Sequence, residues 1–302
     1  MKISKKWKSK LEYLGFMILY KFLRIFPYSF IEFFLENLLI FGGLVLKIRK
    51  DVALTQLNKS FPEKTEREIN SILKNVYRNI GKMTAETFFG DDKKLFNKIT
   101  TNGFENLLEA LSLGRGMILV SAHFGNWELA GRYIASTGIN TGIVIKKQRN
   151  PYFETFSNKP REKFGIKIIH KKRSLKEILK FIKTKGMVVL VSDQNAGSDG
   201  IKFKFLGRDA SIHTGAAKFG VKFGIPIVIG MTVRTKENKH ILYFEKPIYT
   251  DQIEKTSFNI EQLAMTISER IEKYVEKYPD QWFWVHKRWK GAKKAKEPQK
   301  SV

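Results

Sequence analysis

The sequence predicts an α/β protein, with a mostly parallel central sheet flanked by helices and an N-terminal membrane-associated helical segment. Three observations carry that prediction. From about residue 116, short apolar runs alternate with amphipathic helical stretches, the pattern of strands covered on both faces. Two capping boxes, Thr65/Glu68 and Ser174/Glu177, open amphipathic helices. The first 46 residues join a lysine cluster to a long apolar stretch.

Composition narrows the class further. The chain has 302 residues, 43% of them hydrophobic, which excludes a solvated disordered chain. It has no cysteine, so disulfides and Cys-ligated metal centres are excluded. Lys and Arg number 55 against 29 Asp and Glu, a formal net charge of +26. Such an excess points to an anionic partner: nucleic acid, acidic phospholipid or an acidic protein.

The elements follow in chain order. Lys2, Lys5, Lys6, Lys8 and Lys10 precede an apolar stretch from Leu11 to Leu46. Glu12, Lys21, Arg24, Glu32 and Glu36 interrupt it, so no charge-free window reaches the roughly 20 residues of a spanning helix. Pro27 divides it into helices over 11–26 and 28–46. No small-residue cleavage site follows, so a retained anchor on the anionic cytoplasmic leaflet is expected rather than a removed signal. A helix over 65–89 carries Ile69, Leu73, Val76 and Ile80 on one face. A basic linker and a short helix near 103–113 come next. Strands are predicted at Met117–Ser121, Ile143–Ile145, Met187–Ser192, Ile225–Met231 and Ile241–Glu245. The helix from Ser174 should bury Leu175, Ile178, Leu179 and Ile182. Lys-Phe-Gly recurs at 163–165, 218–220 and 222–224, and reads as helix ends with glycine caps. The last helix spans about Ile260–Tyr278 and stops at Pro279. The expected organisation is membrane-associated helices over 1–50, an α/β domain over 51–290 and a Lys-rich disordered tail over 291–302.

The chemistry concentrates in Ser121-Ala-His-Phe-Gly-Asn-Trp-Glu128. His123 ends an apolar strand, Gly125 and Asn126 make a turn with Asn126 as N-cap, and Glu128 falls in the first helical turn. Ligands in open α/β sheets gather at such carboxyl ends. A histidine oriented there by a carboxylate is a general-base arrangement, able to take a proton from an attacking hydroxyl. The alternative is a structural histidine bonded to backbone. With no GxSxG and no cysteine, direct transfer between two substrates fits better than a covalent enzyme intermediate. His170, His213 and His240 lack metal-ligand spacing. Trp282, Phe283, Trp284 and His286 read as core more readily than as an acyl groove. Phe203 and Phe205, alternating with Lys202 and Lys204, fit either a half-buried strand or a membrane-facing lip.

His123-Phe-Gly-Asn-Trp-Glu128 resembles the His-x4-Asp/Glu box of the lipid A biosynthesis secondary acyltransferases, within the glycerolipid acyltransferase superfamily. Further segments resemble family motifs in the family's order: Asn58-Lys-Ser-Phe-Pro62, Lys146 to Pro151, the segment at Asp193, Phe205-Leu-Gly207 with Thr214-Gly215, and Pro279 to Arg288. Coverage is about residues 11–290. The resemblance implies transfer of a fatty acyl chain, from acyl carrier protein or acyl-coenzyme A, to a hydroxyl of a membrane glycolipid at the cytoplasmic face of a bacterial inner membrane. It implies His123 as base and Glu128 as its orienting partner. Asn126, Lys146, Arg149, Arg161 and Asp193 would be substrate-binding, with Arg161 meeting an anionic group or supporting the site and Asp193 a weaker sheet-edge contact. No metal and no cofactor are implied. Lys146 stands where the family has arginine, which replaces a planar fork by a point charge; Lys147 and Arg149 are the nearest compensating cations. Other membrane lipids, such as a lysophospholipid, an inositol mannoside or an ornithine lipid, are alternative acceptors. A non-enzymatic basic protein binding membrane or nucleic acid is the reading from a different class. The charge is spread from end to end and no nucleic-acid motif occurs, so nucleic acid is not expected as a partner.

Overall fold

The computed structural model describes residues 4–171 and 174–290. The Lys-rich tail expected at 291–302 lies outside the described residues, as does the Ser174 side chain of the second capping box.

Two helices open the chain. α1 (Lys5–Leu23) starts behind Ser4, whose hydroxyl accepts from the Trp7 amide. It takes in Lys5, Lys6, Lys8 and Lys10, which were expected ahead of the helix, since lysine is a good helix former. Pro27 stands at the N-cap of α2 (Tyr28–Leu44) in extended backbone, which its fixed φ allows. Among the described residues no helix is long and apolar enough to cross a membrane. Both helices and the turn between them nonetheless expose large apolar side chains, including Ile18, Phe22, Ile25, Phe33 and Phe41.

α3 (Lys50–Ser60) was not legible, because polar Gln56 sits in its buried stripe. α4 (Glu66–Phe88) carries the expected capping box, with Thr65 and Glu68 bonded reciprocally. Its Gly81 lies so close to α2 that a Cβ there would stand 2.7 Å from the Leu35 carbonyl. The expected linker instead holds α5 (Asp92–Phe96) and β1 (Ile99–Asn102), followed by α6 (Phe104–Ser112).

The predicted strands are present as β2 (Met117–Ser121), β3 (Thr141–Ile145), β5 (Met187–Val191), β8 (Ile227–Arg234) and β9 (His240–Phe244). β4 (Lys167–His170), α8 (Pro151–Glu162) and the helix at the motif, α7 (Trp127–Ser136), complete the first half. The sheet order is β1-β9-β8-β2-β5-β3-β4, with only β8 and β9 antiparallel. Strand alternation sends Ile118 and Val120 of β2 into one core, and Met117 and Leu119 into the other. The first core lies under α4, α9 (Ser174–Ile182), α10 (Gly215–Phe223) and α11 (Ser257–Lys277); the second lies under α6 and α7. Within α9, Ile178 and Ile182 are buried as expected, whereas Leu175 is exposed.

Outside the sheet, β6 (Ile201–Phe205) and β7 (Arg208–Ile212) form an antiparallel hairpin. Phe205 is buried and Phe203 half-buried, which is the strand reading of that Lys/Phe alternation. Gly165 and Gly224 follow helices with left-handed φ values, as glycine caps should. Gly220 differs: it sits within α10, where a Cβ would press against Ile227 at 2.7 Å.

Candidate active site

β2 and β5 are neighbours, so the residues just past their carboxyl ends meet. His123 and Asp193 are those residues. His123 Nδ1 lies 2.8 Å from Asp193 Oδ1. The second carboxylate oxygen, Oδ2, accepts from Trp282 Nε1 at 2.7 Å. The Asp193 side chain is 2% exposed and that of His123 25%. Nδ1 is therefore held on a carboxylate, and in the neutral ring Nε2 is the basic atom, 3.5 Å from the Gln194 amide nitrogen, from which it accepts. Trp127 and Phe283 flank the imidazole, with ring centroids at 5.1 and 6.2 Å.

Electrostatics follow from this packing. Burial opposes the imidazolium, but the Asp193 charge and hydrogen bond outweigh it. Glu128 adds to them and Arg161 opposes, so the His123 pKa stands above the ordinary imidazole value. Burial would likewise raise Asp193. The His123 charge, with hydrogen bonds from His123 and Trp282, instead holds it below the usual carboxylate range.

Glu128 occupies a different place from the one the sequence reading gave it. The carboxylate hydrogen-bonded to His123 is that of Asp193. Glu128 is clamped by Arg161, whose Nε donates at 2.8 Å and whose Nη2 donates to the other oxygen. Arg161 Nη1 donates to Asn158 at 2.7 Å. The guanidinium is thus spent on protein partners, and Glu128 acts on His123 through its charge.

Asn126 also differs from its expected substrate-binding place. It is fully buried, and both ends of its amide are engaged within the protein. Its Oδ1 accepts from the Leu129 amide at 2.9 Å, which is the expected N-cap, and its Nδ2 donates to Glu86 at 2.6 Å. Gly125 before it has φ +55°, and a Cβ there would stand 2.0 Å from the Thr232 carbonyl, so only glycine fits this turn. Lys146 and Arg149 are exposed on the loop after β3 and stand outside the hydrogen-bonded set around His123.

The C-terminal segment closes the site. Gly125 N donates to Gln281 O and Phe283 N to His123 O, at 2.9 and 3.1 Å. Trp282 and Trp284 are buried, as the core reading expected, yet Trp282 also grips Asp193 and Phe283 touches the imidazole. Sequence reasoning missed both site contacts. The Pro279–Arg288 motif was the available signal, but an aromatic run after a helix reads as core.

On the α7 side of the sheet lies a narrow, partly open apolar pocket of about 40 Å³. Leu119, Val189, Gly230 and Ile134 line its apolar wall; Ser121, Trp127, Glu128 and Arg161 belong to the sheet edge where His123 stands. No group of His, Asp and Glu among the described residues has the arrangement of a metal site.

The family model described as bacterial lipid A biosynthesis acyltransferase matches residues 2–291. The chain belongs to that family. It is an acyltransferase, as the motif resemblance implied. The lipid A biosynthesis palmitoleoyltransferase of Escherichia coli (strain K12) is 23% identical over 287 residues, spanning 93% of this chain and 91% of that protein. The lipid A biosynthesis lauroyltransferase of the same strain is 23% identical over 251 residues, spanning 81% of this chain and 80% of its own length. A phosphatidylinositol mannoside acyltransferase of Mycobacterium tuberculosis (strain CDC 1551 / Oshkosh) is 20% identical over 196 residues, spanning 62% and 58%.

Proposed function

We propose that this acyltransferase moves a fatty acyl chain from an acyl thioester, with acyl carrier protein as donor, to a hydroxyl of a membrane glycolipid such as a lipid A precursor. The observation that carries the reading is the Asp193–His123 pair, which holds Nδ1 on the carboxylate beside Trp127, a residue that also lines the apolar pocket. His123 Nε2 takes the proton of the acceptor hydroxyl as its oxygen attacks the thioester carbonyl. Asp193 stabilises the imidazolium so formed. Collapse of the tetrahedral intermediate breaks the C–S bond, and the imidazolium returns the proton to the departing thiolate. Arg161 fixes Glu128 beside His123, which strengthens the base without a contact to it. The apolar cavity would hold the acyl chain. Lys146 and Arg149, exposed at the same sheet edge, are placed to meet an anionic acceptor group.

The membrane is proposed as the setting, at the cytoplasmic face of a bacterial inner membrane. The exposed apolar side chains of α1 and α2, with Lys8 and Lys10 beside them, support helices lying in the interface rather than crossing it. A second reading keeps the chemistry and changes the acceptor, since one relative is named a phosphatidylinositol mannoside acyltransferase. One experiment addresses both. Lipids of a deletion strain, and of that strain complemented with wild type or His123→Ala, are compared by mass spectrometry. The reading expects one acyl chain to be missing from a glycolipid, restored by wild type and not by the variant. Full restoration by His123→Ala overturns the base; loss from another lipid class replaces the acceptor.

A further inference from the structure

Behind the His123 turn lies a buried polar cluster centred on Glu86 of α4. Its residue exposure is 1%, and that of Arg234, His240 and Asn126 is 8%, 0% and 0%. Arg234 binds the Glu86 carboxylate with both arms, at 2.6 and 2.7 Å. His240 Nε2 stands 3.0 Å from Oε1, and Asn126 Nδ2 donates to Oε2 at 2.6 Å. Four contacts fill the acceptor capacity of one carboxylate. Arg234 and His240 outweigh the cost of burial and hold Glu86 ionised, well below the usual carboxylate range.

The cluster reaches both sides of the histidine. On one side, a carboxylate can only accept, so Asn126 must turn its NH2 toward Glu86 and its oxygen toward the Leu129 amide. That choice fixes where α7 begins, and Glu128 lies in its first turn. On the other side, the Gln281 side chain clamps the Arg234 backbone, accepting from its N–H at 2.7 Å and donating to its carbonyl at 2.8 Å. The Gln281 carbonyl holds Gly125, and the next residue, Trp282, holds Asp193. The cluster also continues outward to α2: Arg234 donates to Asn238, and Asn238 to Glu32, at 2.7 and 3.0 Å. The apolar N-terminal helix is thereby tied to the catalytic turn.

We infer that Glu86 is a positioning residue of the active site, which sets the polarity of the Asn126 amide and through it the placement of His123 and Glu128. This rests on the reading of His123 as base, and the test separates the two. Asp and Asn are about equally good N-caps, so if Asn126 only capped α7, Asn126→Asp would be harmless. If Glu86 sets the amide, the same change opposes two buried carboxylates. Pairing it with Glu86→Gln restores a donor facing an acceptor at residue 126 and keeps one negative charge in the cluster, although the introduced NH2 then meets Arg234 Nη2, a conflict that the Glu86→Gln single variant shares.

The assay measures kcat and KM for an acyl-thioester donor, normalised to the folded fraction from thermal unfolding. Each single variant should lose about 10- to 100-fold in kcat with KM within about twofold, the scale of a small misplacement of reacting groups. The double variant should exceed the product of the single effects by at least about tenfold, the signature of coupled neighbours. Single variants with normal kcat per folded molecule, or a double variant that is merely multiplicative, overturn the inference. Should Asn126→Asp fail to fold, Glu86→Gln decides alone, by loss of kcat at near-constant KM against loss of stability only. His123→Ala is run in parallel. If it retains turnover while the coupling persists, the base reading fails and Glu86 still positions the turn. If it is inactive while the coupling is absent, the positioning role alone fails.

Discussion

Replacing Asp193 by asparagine tests the proposed base most directly, because both carboxylate oxygens accept. His123 Nδ1 and Trp282 Nε1 each donate a hydrogen bond to it, at 2.8 and 2.7 Å. Asparagine offers one acceptor and one donor. If its oxygen stays on His123, its NH2 meets the indole N–H, donor against donor, where the native side chain is 2% exposed. If the amide flips, His123 must carry its proton on Nε2 and can no longer accept one there. Losing a buried hydrogen bond to a charged group costs about 1.5–3 kcal/mol of stability. The wrong tautomer costs about 10⁴ in kcat for the corresponding change in serine proteases. We therefore expect a folded variant with kcat lowered about 10³- to 10⁴-fold, or roughly 4–5.5 kcal/mol of barrier. The pH profile supplies a second readout. Asp193 raises the His123 pKa, so in the wild type activity should climb with pH through a limb above about 6.5. In Asp193→Asn burial and the Arg161 charge are opposed by Glu128 alone, the smaller of the two carboxylate effects, and the limb of any residual activity should move to lower pH. Acyl transfer measured by mass spectrometry across pH, beside a thermal melt, checks both. Turnover within about tenfold of wild type, or an acid limb that does not move, refutes the reasoning.

Three further outcomes are expected. Arg161→Lys trades a two-armed clamp on Glu128 for a point charge and should lower kcat about tenfold, read in the same assay against an unchanged circular dichroism spectrum. Gly230→Val places atoms where even a Cβ stands 2.8 Å from Leu119, in the cavity wall, and should shift donor preference toward shorter acyl chains when a mixture of lengths competes. Ile25 and Phe33 are 77% and 65% exposed. Ile25→Glu with Phe33→Glu should release the protein from sedimenting membranes while leaving its melting temperature nearly unchanged, since each native side chain would contribute about 1.5–3 kcal/mol when buried in lipid.

Much of the fold was legible because its signals are local. The Thr65/Glu68 capping box, the break at Pro27 and the apolar run Met117–Ser121 each lie within a few residues of sequence, and each appears where expected. The elements that escaped lack a clean local period. α3 buries Gln56, whose amide is needed by the Trp284 and His286 carbonyls, and β4 is only four residues long. Gly220 repeats the motif of two helix caps, yet its small size serves packing against Ile227.

The site divides in the same way. By itself the sequence determined that His123 ends a buried strand, that Asn126 caps the next helix and that a family motif surrounds them. Those are properties of neighbours along the chain. Only the tertiary structure decided the partners. Asp193 meets His123 from 70 residues away because β2 and β5 are adjacent in the sheet, while Glu128, five residues on, turns to Arg161. A carboxylate pairs with the donor that packing brings within hydrogen-bond reach in a dry environment. That choice follows from strand order and from the returning segment at Trp282, which no spacing within one stretch of sequence encodes.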